Sequence, residues 1–373
     1  MILYSLVTAG TVLLACLIHN QPYEKLNIMN RRRALNVVYL AAIFSILFLL
    51  GALRLEVGND YGTYVTTCHE IFQRGYVVTE PGFNFVVRVL YTLAGSEQYL
   101  LVFAFFAFVT VFLFLKAFYE QSDSFALSFF LFMSLGIYFR TFNTVRYYFV
   151  LAIVVYSLRY VVRKEYAKFI ILILFAALFH KSVLVVIPLF LIADRTFKKW
   201  QLGLMAVVCL GFLVGKDFIM QIALKLYPSY VNTPYLEEGT GILPNIMSIA
   251  RCVAVLLLCL VCYKEAVKDS EENRLYFNLN LMALALYLFC SFIPLLSRFS
   301  YYLMTPHVLL IPGVLAKVSN ERKRRLLFLL VIVIGIFYFL VFLRTASQAG
   351  VRVLPYKSWL FYEREWLDAT KIF

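Results

Sequence analysis

Four short stretches carry the side chains that could do chemistry. They are Arg54-Leu-Glu-Val-Gly58-Asn-Asp60-Tyr61, Glu80-Pro81-Gly82-Phe83, Arg140-Thr-Phe-Asn143-Thr-Val-Arg146 and Phe179-His180-Lys181-Ser182, with Arg298 and Tyr301 further on. Asp60 and Glu80 are the candidate carboxylates. A carboxylate can take the proton of an attacking hydroxyl or stabilise an oxocarbenium-like transition state. Glu80-Pro81-Gly82 sets a rigid turn that would fix its acid, and Gly58 lets the backbone come close to a partner, so that Asp60 could lie against Arg54. The plainer alternative is that both acids pair with Arg54 and Arg88 and only fold their segment. Arg140 and Arg146 flank one tight turn with Asn143 and no acid nearby in sequence. A planar guanidinium suits bidentate binding of phosphate or carboxylate, although an ion pair with Asp60 or Glu80 would also account for these arginines. His180 lies between apolar halves. It reads either as a hydrogen-bonded core residue or, if it faces a polar cavity, as a base or a donor to ligand. No metal is expected, because His19, His69, His180 and His307 have no paired spacing and no acidic pair resembles a DxD element.

The elements that must position these residues are membrane helices. The 373 residues are 62% hydrophobic, 17% aromatic and only 15% charged, with mean hydropathy +0.82. A soluble domain carries nearly twice that charge. Apolar runs at Met1–Ile18, Ala34–Leu53, Tyr99–Leu115, Ile246–Tyr263 and Leu326–Leu343 are each long enough to cross a hydrocarbon core about 30 Å thick. The expectation is an all-α polytopic membrane protein, a single domain over 1–373 with about 11–12 segments. Met1–Ile18 lacks a basic start and a small-x-small cleavage site, so it reads as the first helix. The formal charge of +14 does not imply nucleic acid, since the excess lies in short loops between apolar runs, where membrane orientation places it. The lipid bilayer is the implied partner. Six of seven cysteines sit in apolar segments, so no disulfide framework is expected, and Cys259-x-x-Cys262 lacks the context of a redox or zinc motif.

Basic clusters at Arg31 to Arg33, Arg159 to Lys168, Arg195 to Lys199, Lys264 to Arg274 and Lys317 to Arg325 orient the chain. If they are cytoplasmic, the N-terminus, the loop 53–97, a second loop 216–245 and the tail 344–373 face outward. The segment 168–193 has basic flanks at both ends. This favours a reversal near His180, as two half-helices lining a protein cavity, over a single span that would invert everything downstream. The segments then fall near 1–18, 34–52, 98–118, 125–139, 145–162, 168–180, 182–193, 201–215, 246–263, 275–293, 299–316 and 326–343. Outward aromatics, among them Tyr61, Tyr64, Tyr76, Tyr227, Tyr230, Tyr235, Tyr301, Tyr302, Tyr356, Trp359 and Trp366, could stack on sugar rings or form the usual interfacial belt.

The order Arg54-x-x-x-Gly58-x-Asp60-Tyr61-x-x-Tyr64, Glu80-Pro81-Gly82-Phe83, Asn143-x-x-Arg146, Phe179-His180-x-Ser182 and Arg298-x-x-Tyr301 resembles the EpsG family of Wzy-like polymerases of bacterial exopolysaccharide, capsule and O-antigen. One departure is Tyr147, where the family usually has glutamine. The resemblance implies an enzyme of the bacterial cytoplasmic membrane. It would join undecaprenyl-diphosphate-linked oligosaccharide units at the outer face, without nucleotide sugar, metal or other cofactor. A chain-length regulator of the Wzz type would be a further partner. On this reading Arg140, Asn143, Arg146, Arg298 and Tyr301 bind substrate and its diphosphate, and Arg54 orients Asp60. Asp60, Glu80 or His180 is the base. Two other classes stay open: a membrane O-acyltransferase of glycans, and a flippase or transporter of lipid-linked sugar.

Overall fold

The computed structural model describes residues 1–19, 31–197, 242–290, 296–348 and 351–361, with scattered positions between 200 and 221. The chain is all-α and polytopic. Five described helices are long and apolar enough to cross a membrane: Arg32–Ala52, Tyr99–Gln121, Val145–Val162, Arg298–Ala316 and Glu321–Thr345. Shorter apolar helices at Ile2–Cys16, Phe125–Ser134, Tyr166–Ala177, Lys181–Ala193 and Asn245–Val261 fall on five further expected segments, and the helix Glu271–Phe289 falls on the expected segment 275–293. Most of the expected segment 201–215 and of the loop 216–245 lies outside the described residues, as do Tyr227, Tyr230, Tyr235, Trp366 and the end of the tail.

The helices that matter for the site are α1 (Ile2–Cys16), α2 (Arg31–Ala52), α3 (Tyr61–Arg74), α4 (Pro81–Ala94), α5 (Tyr99–Gln121), α6 (Phe125–Ser134), α7 (Ile137–Arg140), α8 (Val145–Val162), α9 (Tyr166–Ala177) and α10 (Val186–Ala193). Beyond them come α11 (Ile242–Val261), α12 (Glu271–Phe289), α13 (Leu296–Met304), α14 (His307–Ala316) and α15 (Glu321–Thr345). They form two compact units. The first comprises Met1–Ser157, Ile171–Lys181 and Arg325–Phe373; the second comprises Leu158–Ile170 and Ser182–Arg324.

In the first unit the expected loop 53–97 is not irregular. It folds into two amphipathic helices whose ends are set by local chemistry. α3 stops at Gly75 and α4 at Gly95, both left-handed (φ 73° and 69°), a conformation that glycine adopts without steric cost. α4 starts on Pro81, whose missing N–H is harmless in a first turn. Each helix buries one stripe, Tyr61, Tyr64, Val65, Cys68 and Ile71 on α3 and Phe83, Val87 and Tyr91 on α4. Cys68, the one cysteine outside an apolar segment, is buried there, and burial pushes its thiol up to about 12.

The segment 168–193 reverses on itself. Lys164 Nζ is 2.6 Å from Asp194 Oδ1, and Tyr166 donates to Asp194 Oδ2 at 2.5 Å. Phe169 stacks on Phe190 with ring centres 5.9 Å apart. Residues from the two ends of the segment therefore touch, which a single straight span of that length cannot do at a rise of 1.5 Å per residue. The turn falls at residues 178–180, between α9 and the 3₁₀ turn Lys181–Val185.

The C-terminal segment returns to the first unit as a strap. Leu55 and Gly58 donate their backbone N–H to Lys357 and Arg352, at 3.0 and 2.8 Å, and Trp359 donates to Leu53 at 3.1 Å. Tyr4 and Tyr356 hydroxyls donate to Val353 O and Leu50 O. Lys357 pairs with Glu56 at 2.7 Å.

Candidate functional site

Three pieces of the first unit converge: the N-terminus of α3, the N-terminus of α4 and the turn before α8. The closeness of the first and third depends on Gly58. Its φ is +105°, and a Cβ there would lie 2.2 Å from Phe142 O, so only glycine lets the segments meet. Asn143 Oδ1 then accepts the backbone N–H of Asp60 at 3.0 Å. The Thr144 hydroxyl donates to Asp60 Oδ2 at 3.2 Å. Asp60 precedes α3, but its carboxylate makes no cap bond to that helix. It is held by the 143–144 turn instead.

Arg146 stands in the first turn of α8, where backbone N–H groups have no partner within the helix. Its own N–H donates to the Tyr64 hydroxyl at 3.3 Å. Its guanidinium donates to Glu80 Oε2 and Thr79 Oγ1, both short contacts. Thr79 in turn donates to Glu80 Oε2 at 3.0 Å. The guanidinium carbon lies 5.1 Å from the Phe83 ring centre and 5.6 Å from that of Tyr64, where the ring faces attract a cation. Arg146 and Glu80 thus form an ion pair.

Glu80 is fixed from its other side by the hairpin. Gly82 donates its N–H to Leu178 O at 2.8 Å, and a Cβ on Gly82 would sit 2.8 Å from that oxygen. The turn 79–82 is thus pressed against the end of α9, two residues before His180. Burial alone would raise the Glu80 carboxyl. Arg146, the backbone at Glu80, His180 and Thr79 outweigh it and hold the acid below its ordinary range. His180 is 8% exposed and meets Tyr147 edge-on, with ring centres 5.5 Å apart. Tyr147 is the position that departs from the family pattern, and here it forms one wall of the imidazole's surroundings.

The structure therefore gathers Asp60, Asn143, Arg146, Glu80 and His180. Arg54 is placed differently. It is buried, donates to Gly51 O, and lies 4.7 and 5.3 Å from the ring centres of Phe103 and Phe142. Asp60 is held by Asn143 and Thr144 among others, and Arg54 meets a carbonyl and two rings. Arg140, at the end of α7, sets its guanidinium 5.9 Å from the Phe342 ring centre. Arg298 and Tyr301 lie on α13 in the second unit, where Ser182 and Tyr302 share a hydrogen bond of 3.0 Å. Tyr61 and Tyr64 are buried in the α3 stripe, with Tyr61 stacked on Phe103 at 4.7 Å, so neither offers a free face to a sugar. Thr79 and Thr144 were missed from sequence. Their signal was a hydroxyl directly beside a singled-out residue, Glu80 in one case and Asn143 in the other. No group of three or more His, Cys, Asp or Glu that could hold a metal occurs among the described residues.

An α-helical membrane protein with an arginine–carboxylate–histidine cluster at helix starts and turns is the class these observations define. The model of the EpsG family matches residues 37–358. The chain belongs to the EpsG family, a Wzy-like polymerase family. No curated protein and no solved structure matches the chain.

Proposed function

We propose that the protein joins undecaprenyl-diphosphate-linked oligosaccharide units into polysaccharide at the outer face of the bacterial cytoplasmic membrane, with the Asp60–Glu80–Arg146–His180 cluster as its active site. The observation that carries this is the Arg146–Glu80–Thr79 contact beside His180. It sets an anion-binding fork, a carboxylate and an imidazole within one small volume.

In the reaction, a hydroxyl oxygen of the acceptor unit forms a bond to the anomeric carbon of the donor. The bond from that carbon to the diphosphate oxygen breaks, and its electron pair leaves on the diphosphate. The proton of the attacking hydroxyl goes to a base. His180 fits that role better than Glu80, because an acid held low by a guanidinium is a weak base. Glu80 then stabilises the imidazolium as it forms. Arg146 exchanges part of its contact with Glu80 for the departing diphosphate, whose developing charge it offsets. Asp60, held by Asn143 and Thr144, orients the turn that presents Arg146. Purified protein given a defined lipid-linked unit in the presence of a chelator should produce a ladder of polymers. A single unreacted species would overturn the reading.

A further inference from the structure

α4 has a second face that its packing does not explain. Phe83, Val87 and Tyr91 are buried, while Phe85, Val89 and Leu93 are 67%, 39% and 79% exposed. Exposed residues at i, i+4 and i+8 form one stripe along a helix, and on a helix facing water that stripe is polar. Here it is hydrocarbon. With 14 residues, α4 spans only about 21 Å and is too short to cross a bilayer.

The stripe is concave. It forms a groove of about 530 Å³ with Tyr76, Pro81, Asn84 and Arg88 among its lining. One wall is built by a buried side chain. Asn84 accepts from Val77 N–H and donates to Val77 O, both at 3.0 Å, which holds the segment carrying Tyr76 and Val78 alongside the helix. Val78 itself is 98% exposed. The groove begins at Pro81, the residue after the carboxylate that pairs with Arg146. It runs from there toward Leu93, apolar along its floor, with the single cation Arg88 in its lining.

We infer that this groove seats the hydrocarbon chain of the lipid-linked donor, with its diphosphate at Arg146 and its tail along Phe85, Val89 and Leu93; the inference rests on the function proposed above. Continuity with the Glu80 turn favours the donor chain over bulk phospholipid. A membrane face has no need to start at a catalytic carboxylate, nor of a wall pinned by two hydrogen bonds.

The test places benzoylphenylalanine at position 89, and in a second protein at Phe112, an exposed position on α5 outside the groove. Each full-length protein, in phosphatidylethanolamine–phosphatidylglycerol nanodiscs, is irradiated with radiolabelled undecaprenyl diphosphate. Labelling at 89 should fall about tenfold when unlabelled undecaprenyl diphosphate is added at about ten times its Kd, while labelling at 112 stays unchanged. Uncompeted labelling at 89, equal competition at both positions, or no labelling at 89 would each overturn the groove. The readout needs no turnover. Competed capture at 89, together with a wild-type protein that forms no polymer ladder, would sink the polymerase reading and leave the groove standing.

Discussion

At the scale of single residues, the Glu80–Arg146 contact makes opposite demands on two substitutions. Arg146→Lys keeps the charge but loses the fork that reaches Glu80 and Thr79 together, so polymer formation should fall about a hundredfold with membrane insertion intact. His180→Ala should cost about 10²–10⁴ in rate, read from ladder formation on a defined donor, with the fold unchanged by circular dichroism. Glu80→Gln keeps the hydrogen bond to Thr79 and removes the charge. Because Arg146 and its neighbours hold the folded carboxyl below its ordinary 4.5, the unfolded chain binds this proton more readily than the folded one. The stability it contributes is present above pH 4.5 and is lost as the pH falls through the lowered value. In thermal unfolding, the advantage of the wild type over Glu80→Gln should be largest near neutrality and shrink on acidification. An advantage that grows with acid would remove the ion pair from the account. All five residues of the cluster were legible as types and order, and their mutual contacts were not. Arg146 and Glu80 lie 66 positions apart, and only folding decides that they meet.

At the scale of elements, length separates what the sequence shows from what it hides. Long apolar runs announce membrane helices because lipid demands about 20 such residues. α3 and α4 are shorter and polar along part of each face, so they read as a loop, although Pro81 at one start and Gly75 and Gly95 at the ends mark both helices locally. The hairpin was legible from its paired basic flanks, since orientation acts on charge rather than on helix period. Its test is topological. Single cysteines at Arg163 and Arg195 should react with an impermeant thiol reagent from the same side of sealed vesicles; opposite sides would restore a single span. Gly82→Ala probes how the hairpin meets α4. Its Cβ would press on Leu178 O at 2.8 Å, and a forced shift of this kind costs on the order of 1–3 kcal/mol. It should lower ladder formation far more than it lowers protein yield in the membrane.

At the scale of the whole molecule, the +14 charge, the repeated apolar runs and the family all describe one long chain threaded through lipid, and none of them reveals which distant pieces must meet. The strap at 351–359 is such a piece. It closes on residues 53–58 through Leu55, Gly58 and Trp359, and Gly58 is the residue that lets Asp60 reach Asn143. In cells that overproduce the protein as successive C-terminal truncations, chains ending before Arg352 should insert and orient normally yet make no polymer. Truncation beyond Phe361 should preserve some activity. The order of synthesis gives this a biological meaning. Tyr4, Leu55 and Gly58 leave the ribosome early, then wait through nearly the entire length of translation for the partners that complete their hydrogen bonds. Until residues 352–359 have been made, the backbone donors of Leu55 and Gly58 stay open, so the turn that holds Asp60 is completed only late in synthesis.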